Sequence, residues 1–159
     1  MTKEELIILL KEYRENKAKL RLRQKEKKML ELRLKNLDEI TTSLGVAFGI
    51  NSDIHSQNKI SDKVSKTVED READINKIKD RLKILDKEIN QLTDKVEEAE
   101  IRLDSLYYKE REILTAYYVD NRQAEEIGRN VFFDLYNRTC SAENIYRIIK
   151  KSTKRLLDL

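Results

Sequence analysis

Toward its C-terminal end this sequence gathers the residue types that contact a polyanion. Glu143, Asn144, Tyr146 and Arg147 are followed by Lys150, Lys151, Lys154 and Arg155. Ile145, Ile148, Ser152 and Leu156 recur on one stripe between them, so the segment from Ser141 to Leu157 reads as an amphipathic helix capped by Ser141. Its polar side chains can exchange hydrogen bonds with base edges, and its lysines can meet phosphates. The alternative is that the cations complement the negative end of the helix dipole and keep the chain end solvated. The preceding residues decide which reading has a scaffold. Tyr107 to Val119 is amphipathic, Asp120-Asn121 makes a turn, Gln123 to about Tyr136 reads as a second short helix, and Asn137 to Cys140 as a loop. This is a helix-turn-helix layout, in which the early residues of the last helix face the major groove and its basic flank faces the backbone.

Other chemistry has little material. The single Cys140 excludes an internal disulfide, and with the lone His55 it makes no metal-ligand set. There is no nucleophile paired with a base and no Gly-rich phosphate loop, and the carboxylates stand on helix faces beside Lys at helical spacing. No enzymatic activity, metal or cofactor is therefore expected. The formal net charge of +3 is too small to imply nucleic acid by itself, so position matters more than total. The longest apolar run, Leu6 to Leu10 after Lys3, Glu4 and Glu5, is too short to span a bilayer, and a cytoplasmic protein without a membrane partner is expected.

Long helices must position the terminal segment. Charged residues make up 40% of the chain and aromatics 6%, with no Pro and three Gly, a profile of solvated helices and an all-α fold. From Val64 the residues Val68, Arg71, Ile75, Ile78, Leu82, Leu85, Ile89, Leu92, Val96, Ala99, Leu103 and Leu106 step alternately by three and four, a heptad seam that demands a partner helix. Upstream, Thr2 and Glu5 form a capping box, and nothing breaks a helix before Leu44. Its seam runs through Leu9, Tyr13, Leu20, Leu30, Leu34, Leu37 and Leu44, interrupted by Asn16, Arg23, Lys27 and Thr41. Between the two, Gly45 to Ile60 is rich in turn formers, and Ser61 or Asp62 can cap the second helix.

Each helix would be roughly 65 Å long at about 1.5 Å of rise per residue, as an antiparallel hairpin needs. Folding about the loop centre pairs Leu37 with the region of Val68, Leu30 with Ile75, Leu20 with Leu85, and Tyr13 with Leu92. The β-branched residues at Val68, Ile75, Ile89 and Val96, alternating with Leu85 and Leu92, also suit a parallel coil between two chains, and a homo-oligomer, a dimer first, is expected. The basic stretch from Lys11 to Lys35 reads as a solvated face. Lys17, Lys19, Arg21, Arg23 and Lys25 step by two and spread around the helix instead of forming one stripe.

Lys109-Glu110, Ile113-Leu114, Glu125-Glu126-Ile127-Gly128 and the run Ser141-Ala142-Glu143-Asn144-Ile145-Tyr146-Arg147-Ile148, with Leu156, together resemble the promoter-binding fourth region of bacterial sigma factors. With the upstream coil, including Ile40-Thr41-Thr42-Ser43-Leu44 and Ser61-Asp62-Lys63-Val64, the chain resembles sigma-like phage regulators of the ArpU/RinA type. Proteins of this kind are associated with late-gene control in phages and prophages of Gram-positive bacteria. The likeness covers most of the chain from about Leu37 onward. It implies a DNA-binding regulator in which Ala142, Glu143, Tyr146 and Arg147 contact base edges and Lys150, Lys151 and Lys154 contact phosphates, with Ser141 and Asn144 at the same helix start. Glu143 would accept from cytosine and Arg147 would donate to guanine. One departure is the stretch Arg129 to Cys140, about seven residues longer than a compact turn and worth roughly two helical turns. The expected organisation is thus a long antiparallel helical hairpin over 1–106, with its loop near 45–60, followed by a small helix-turn-helix head over 107–159. The expected partners are double-stranded DNA, RNA polymerase and a second copy of the chain. The competing reading is a coiled-coil adaptor that binds a protein, using Tyr107, Tyr108, Tyr117, Tyr118, Phe132, Phe133 and Tyr136 as a surface. The plainer assignment makes these aromatics the core of the head.

Overall fold

The computed structural model describes the backbone of residues 1–48 and 59–159, and the side chains of 1–37 and 69–159. It is all-α, and no strand occurs among the described residues. The elements are α1 (Lys3–Phe48), α2 (Lys59–Asp104), α3 (Tyr108–Leu114), a π turn (Thr115–Val119), α4 (Ala124–Arg129), α5 (Val131–Tyr136) and α6 (Ala142–Leu157). They form two compact units, one made of Met1–Leu20 with Gln91–Leu159 and the other of Arg21–Asn90.

The capping box forms as expected. The Thr2 N–H donates to Glu5 Oε2 at 2.7 Å, and the Glu5 N–H donates to Thr2 Oγ1 at 3.2 Å, so two orphan donors of the first turn are satisfied reciprocally. Without proline, α1 continues past Leu44 to Phe48. The second helix is already formed at Lys59, so Ser61 and Asp62 lie inside it and not at its cap. The central part of the expected loop, with His55, lies outside the described residues, as do the side chains of Thr41, Leu44, Val64 and Val68.

In the unit Arg21–Asn90 the two long helices run antiparallel. Arg23 pairs with Glu88 at 2.8 Å, and farther along α1 Glu26 and Lys27 pair with the earlier α2 residues Arg81 at 2.8 Å and Asp86 at 2.7 Å. Arg23 Nε and Glu88 Oε2 make an ion pair without hydrogen-bond alignment, since that oxygen lacks a hydrogen-bond partner. Ile78 and Leu85 are buried, Ile75, Leu82 and Ile89 are half-buried, and the α2 seam is thereby realised.

The other unit has a true core. Leu6 and Leu10 of α1, Leu103 of α2 and Leu106 just beyond it join Ile113, Leu114, Ala124, Ile127, Phe132, Ile145, Ile149 and Leu156. Tyr13 donates to Glu100 at 2.7 Å, and Lys17 donates to the same carboxylate oxygen at 2.7 Å and to the Tyr13 hydroxyl at 2.8 Å. Tyr13 therefore meets Glu100 and not Leu92, about two turns farther along α2. A slip of one heptad returns every seam residue to the seam, so the seam alone does not choose between such registers. Docking Leu6 and Leu10 into the head does.

Three further expectations are corrected. The segment Gln123 to Tyr136 is not one helix, because it breaks at Asn130 (φ −103°, ψ −71°), and the turn lets Phe132 enter the core from α5. The buried stripe of α6 is Ile145, Ile149, Ser152, Thr153 and Leu156, with Ile148 only half-buried. The aromatics are mostly not core: Phe132 and Tyr118 are buried, whereas Tyr107, Tyr108, Phe133 and Tyr136 are exposed. Two of the exposed rings are covered by cations instead, Tyr136 by Lys109 Nζ at 4.0 Å and Tyr107 by the Arg155 guanidinium at 5.2 Å.

Candidate nucleic-acid interface

Helix α6 begins at Ser141, whose extended backbone (φ −71°, ψ 153°) is that of an N-cap. Its hydroxyl makes no capping hydrogen bond, so the expected side-chain cap is absent. The buried stripe seats the helix against α3 and α4, and the Arg102 guanidinium donates to the Leu156 carbonyl to hold its last turn against α2. At 100° per residue, Arg147 and Lys154 then point directly away from the core, with Glu143 and Lys150 on one side of that ridge and Lys151 on the other. All five are exposed. Among the described residues, none of Arg147, Lys150, Lys151 and Lys154 is engaged in an ion pair, whereas Arg155 is tied to Glu110 at 2.7 Å. Four cations on one exposed ridge form a surface that can neutralise phosphates, with a carboxylate at its leading end.

The remaining candidates lie at the edges of this ridge. Asn144 is exposed on one edge, and Tyr146 and the half-buried Ala142 lie on the other. Tyr146, 51% exposed, sets its ring edge-on to Tyr117 at 6.1 Å, and Tyr117 is edge-on to Tyr118 at 5.0 Å. These rings border a groove of about 650 Å³ whose lining also includes Lys11 and Arg122. Burial pushes the Tyr117 hydroxyl above its ordinary pKa, so it stays a neutral hydrogen-bonding group at physiological pH.

Sequence reasoning did not place Lys11 or Arg122 here. Lys11 is separated from α6 by most of the chain, and Tyr117 reaches the groove through the π turn, where the Asp120 N–H bonds the Thr115 carbonyl at 3.0 Å. The turn ends at Asn121, which takes the left-handed conformation (φ 54°) that Asn tolerates better than most residues.

The long insertion between α4 and α6 closes on itself. The Cys140 N–H donates to the Gly128 carbonyl at 3.0 Å, so both ends of the excursion meet and α4 packs directly on α6. Gly128 permits this approach, because a Cβ at that position would collide with the Cys140 carbonyl oxygen. α5 occupies the excursion, which ends at Asn137 (φ 54°). The extra residues therefore do not separate the two helices that a groove-reading head requires.

The basic stretch of α1 sorts by direction once the helix is paired. Lys17, Arg23 and Lys27 turn inward to Glu100, Glu88 and Asp86, and Lys19 pairs with Glu15 along the helix. The five cations that step by two do spread around the helix, Lys17 and Arg23 toward α2 and Lys19, Arg21 and Lys25 exposed. Among the described residues no group of His, Cys, Asp and Glu could hold a metal ion, and no helix is long and apolar enough to cross a membrane. No family model, curated protein or solved structure matches this chain.

Proposed function

We propose that this chain is a DNA-binding transcriptional regulator that reads duplex DNA with the outer ridge of α6. The observation that carries the proposal is the set of unpaired cations Arg147, Lys150, Lys151 and Lys154, which stand opposite the buried stripe of a helix packed on α4. In this reading Arg147 and Glu143, nearest the helix start on that ridge, would meet base edges, and the lysines beyond them phosphates. The groove beside Tyr146 adds Lys11 and Arg122 as further phosphate partners. The resemblance to sigma-like phage regulators of the ArpU/RinA type agrees with this reading and makes late-gene promoters of a phage or prophage the first targets to test. Selection of bound fragments from random DNA, repeated across a salt series, tests the proposal. One enriched sequence with affinity falling steeply in salt is the expected outcome. The absence of both enrichment and salt dependence would refute it. A dimer would enrich paired half-sites and a monomer a single site.

The exposed rings of Tyr107, Tyr108 and Phe133 favour a second reading, in which the same unit binds a protein such as RNA polymerase and not DNA. Polymerase retained by the purified chain after nuclease treatment, with no DNA sequence enriched, would decide for it.

A further inference from the structure

In the unit Arg21–Asn90, α1 carries a second surface that the DNA reading leaves unused. Take the direction opposite its seam, which is set by Arg23, Lys27, Leu30 and Leu34. Between residues 21 and 32, the residues within a right angle of that direction are Arg21, Leu22, Lys25, Lys28, Met29 and Leu32. All six are exposed, Leu22, Met29 and Leu32 at 66%, 63% and 62%. The two acids in this stretch are tied elsewhere, Glu26 to Arg23 and Arg81 and Glu31 to Lys27. No ion pair engages Arg21, Lys25 or Lys28 among the described residues. The face thus holds three large apolar side chains and three free cations, with no carboxylate among them.

The geometry points to a docking site for a helix of another protein, acidic along one margin and apolar at three-and-four spacing, which would lie along Leu22, Met29 and Leu32 as the third helix of a bundle. Its charge is argued from the cations. Arg21 and Lys28 line one margin of the apolar row and Lys25 stands within it, so they match carboxylates along one side of an apolar stripe. A second copy does not fit. Two such faces would oppose cation to cation, and among the described residues the outward side of α2 in this unit offers one exposed large apolar residue, Ile84. Nucleic acid fits less well, since a phosphate backbone leaves Leu22, Met29 and Leu32 without apolar partners.

The test uses a synthetic peptide of about four heptads with Leu at the seam and Glu beside it, titrated into the full chain and read by gain of helical circular dichroism and by anisotropy. Binding that weakens as salt rises is expected. The triple variant Leu22→Gln/Met29→Gln/Leu32→Gln should lose at least about tenfold in affinity, and Arg21→Gln/Lys25→Gln/Lys28→Gln should lose the salt dependence. Both sets lie on an exposed face, and unchanged thermal midpoints establish that they fold. No binding of the peptide, or equal binding by the variants, would overturn the proposal. Loss of binding to anionic vesicles or to duplex DNA in these same variants, with peptide binding intact, would overturn it too. Because α6 is untouched, sequence-specific DNA binding should persist in both variants, so this inference and the proposed function fail independently.

Discussion

Gly128→Ala separates two opposed effects. In the interior of a helix this change ordinarily stabilises by about 1 kcal/mol, since alanine restricts the unfolded chain. Here the added Cβ meets backbone: it collides with the Cys140 carbonyl oxygen, lies 3.2 Å from the Cys140 carbonyl carbon and touches Ile145 Cγ1 at 3.6 Å. Backbone cannot rotate aside as a flexible side chain can. Restoring an ordinary carbon–oxygen contact requires an opening of about 1 Å, which breaks the 3.0 Å bond from the Cys140 N–H to the Gly128 carbonyl. That bond contributes about 1 kcal/mol, and overpacking against the Cys140 carbonyl adds about 1–3 kcal/mol. After the propensity gain, a net loss of about 1–3 kcal/mol is expected. Urea unfolding followed by near-ultraviolet circular dichroism is the suitable assay, because all seven tyrosines belong to the unit that contains Gly128 and there is no tryptophan. An unchanged or raised midpoint would show that α4 and the end of the excursion do not approach as described.

Other outcomes follow from the same packing. Ile149→Ala should cost about 2–5 kcal/mol and Ile148→Ala clearly less; equal losses in urea titrations would contradict the placement of the α6 stripe. Ser152 is fully buried and its hydroxyl has no hydrogen-bond partner, so Ser152→Ala should raise stability by about 1 kcal/mol, and a lowered thermal midpoint would point to a hidden partner. Hydrogen bonds from Lys17 and Tyr13 hold the Glu100 carboxyl below its ordinary value of 4.5. Its stabilising effect is therefore present above that value and lost as pH falls through the lower folded-state value. Tyr13, raised above 10.0 chiefly by burial, stabilises below that value and ceases to do so as pH climbs through its folded-state value. Glu100→Gln should flatten the acid limb of the melting profile, and an unchanged limb would remove the cluster as its cause. On DNA, Arg147→Ala should cost about 1–3 kcal/mol at the preferred sequence, whereas Lys151→Ala should weaken all sequences alike and lower the salt slope by about one; the reverse pattern in gel shifts would reassign the two residues.

Local rules carried much of the fold into view. Thr2 and Glu5 formed the capping box they spelled, the three-and-four spacing from Ile75 to Leu103 became the buried and half-buried side of α2, and Asn137 marked the stop after α5. What stayed hidden depended on distant partners. A heptad repeat looks the same after a shift of seven, so only the seating of Leu6 and Leu10 fixes which residue Tyr13 meets. The break at Asn130 has no strong local signal, since it answers the need of Phe132 to reach the core. For the same reason the spacing of the α1 cations does not by itself say which of them face α2. Until Glu100, Glu88 and Asp86 are known to draw Lys17, Arg23 and Lys27 inward, nothing says which charges remain outside. The exposed ridge of α6 was legible because amphipathicity needs only one helix, but Lys11 and Arg122 join the neighbouring groove through tertiary packing alone.

The wide turn at Thr115–Val119 holds a residue more than an ordinary helical winding would need. Removing one amino acid there would let the segment wind as an ordinary helix, in which one residue fewer covers the same arc. Side chains on either side of the stretch would keep their directions, and the two rings inside it, Tyr117 and Tyr118, would be redirected. The extra residue thus serves to aim this pair, and a one-residue deletion should cost the edge-on contact of Tyr117 with Tyr146 while α3 stays seated on α6.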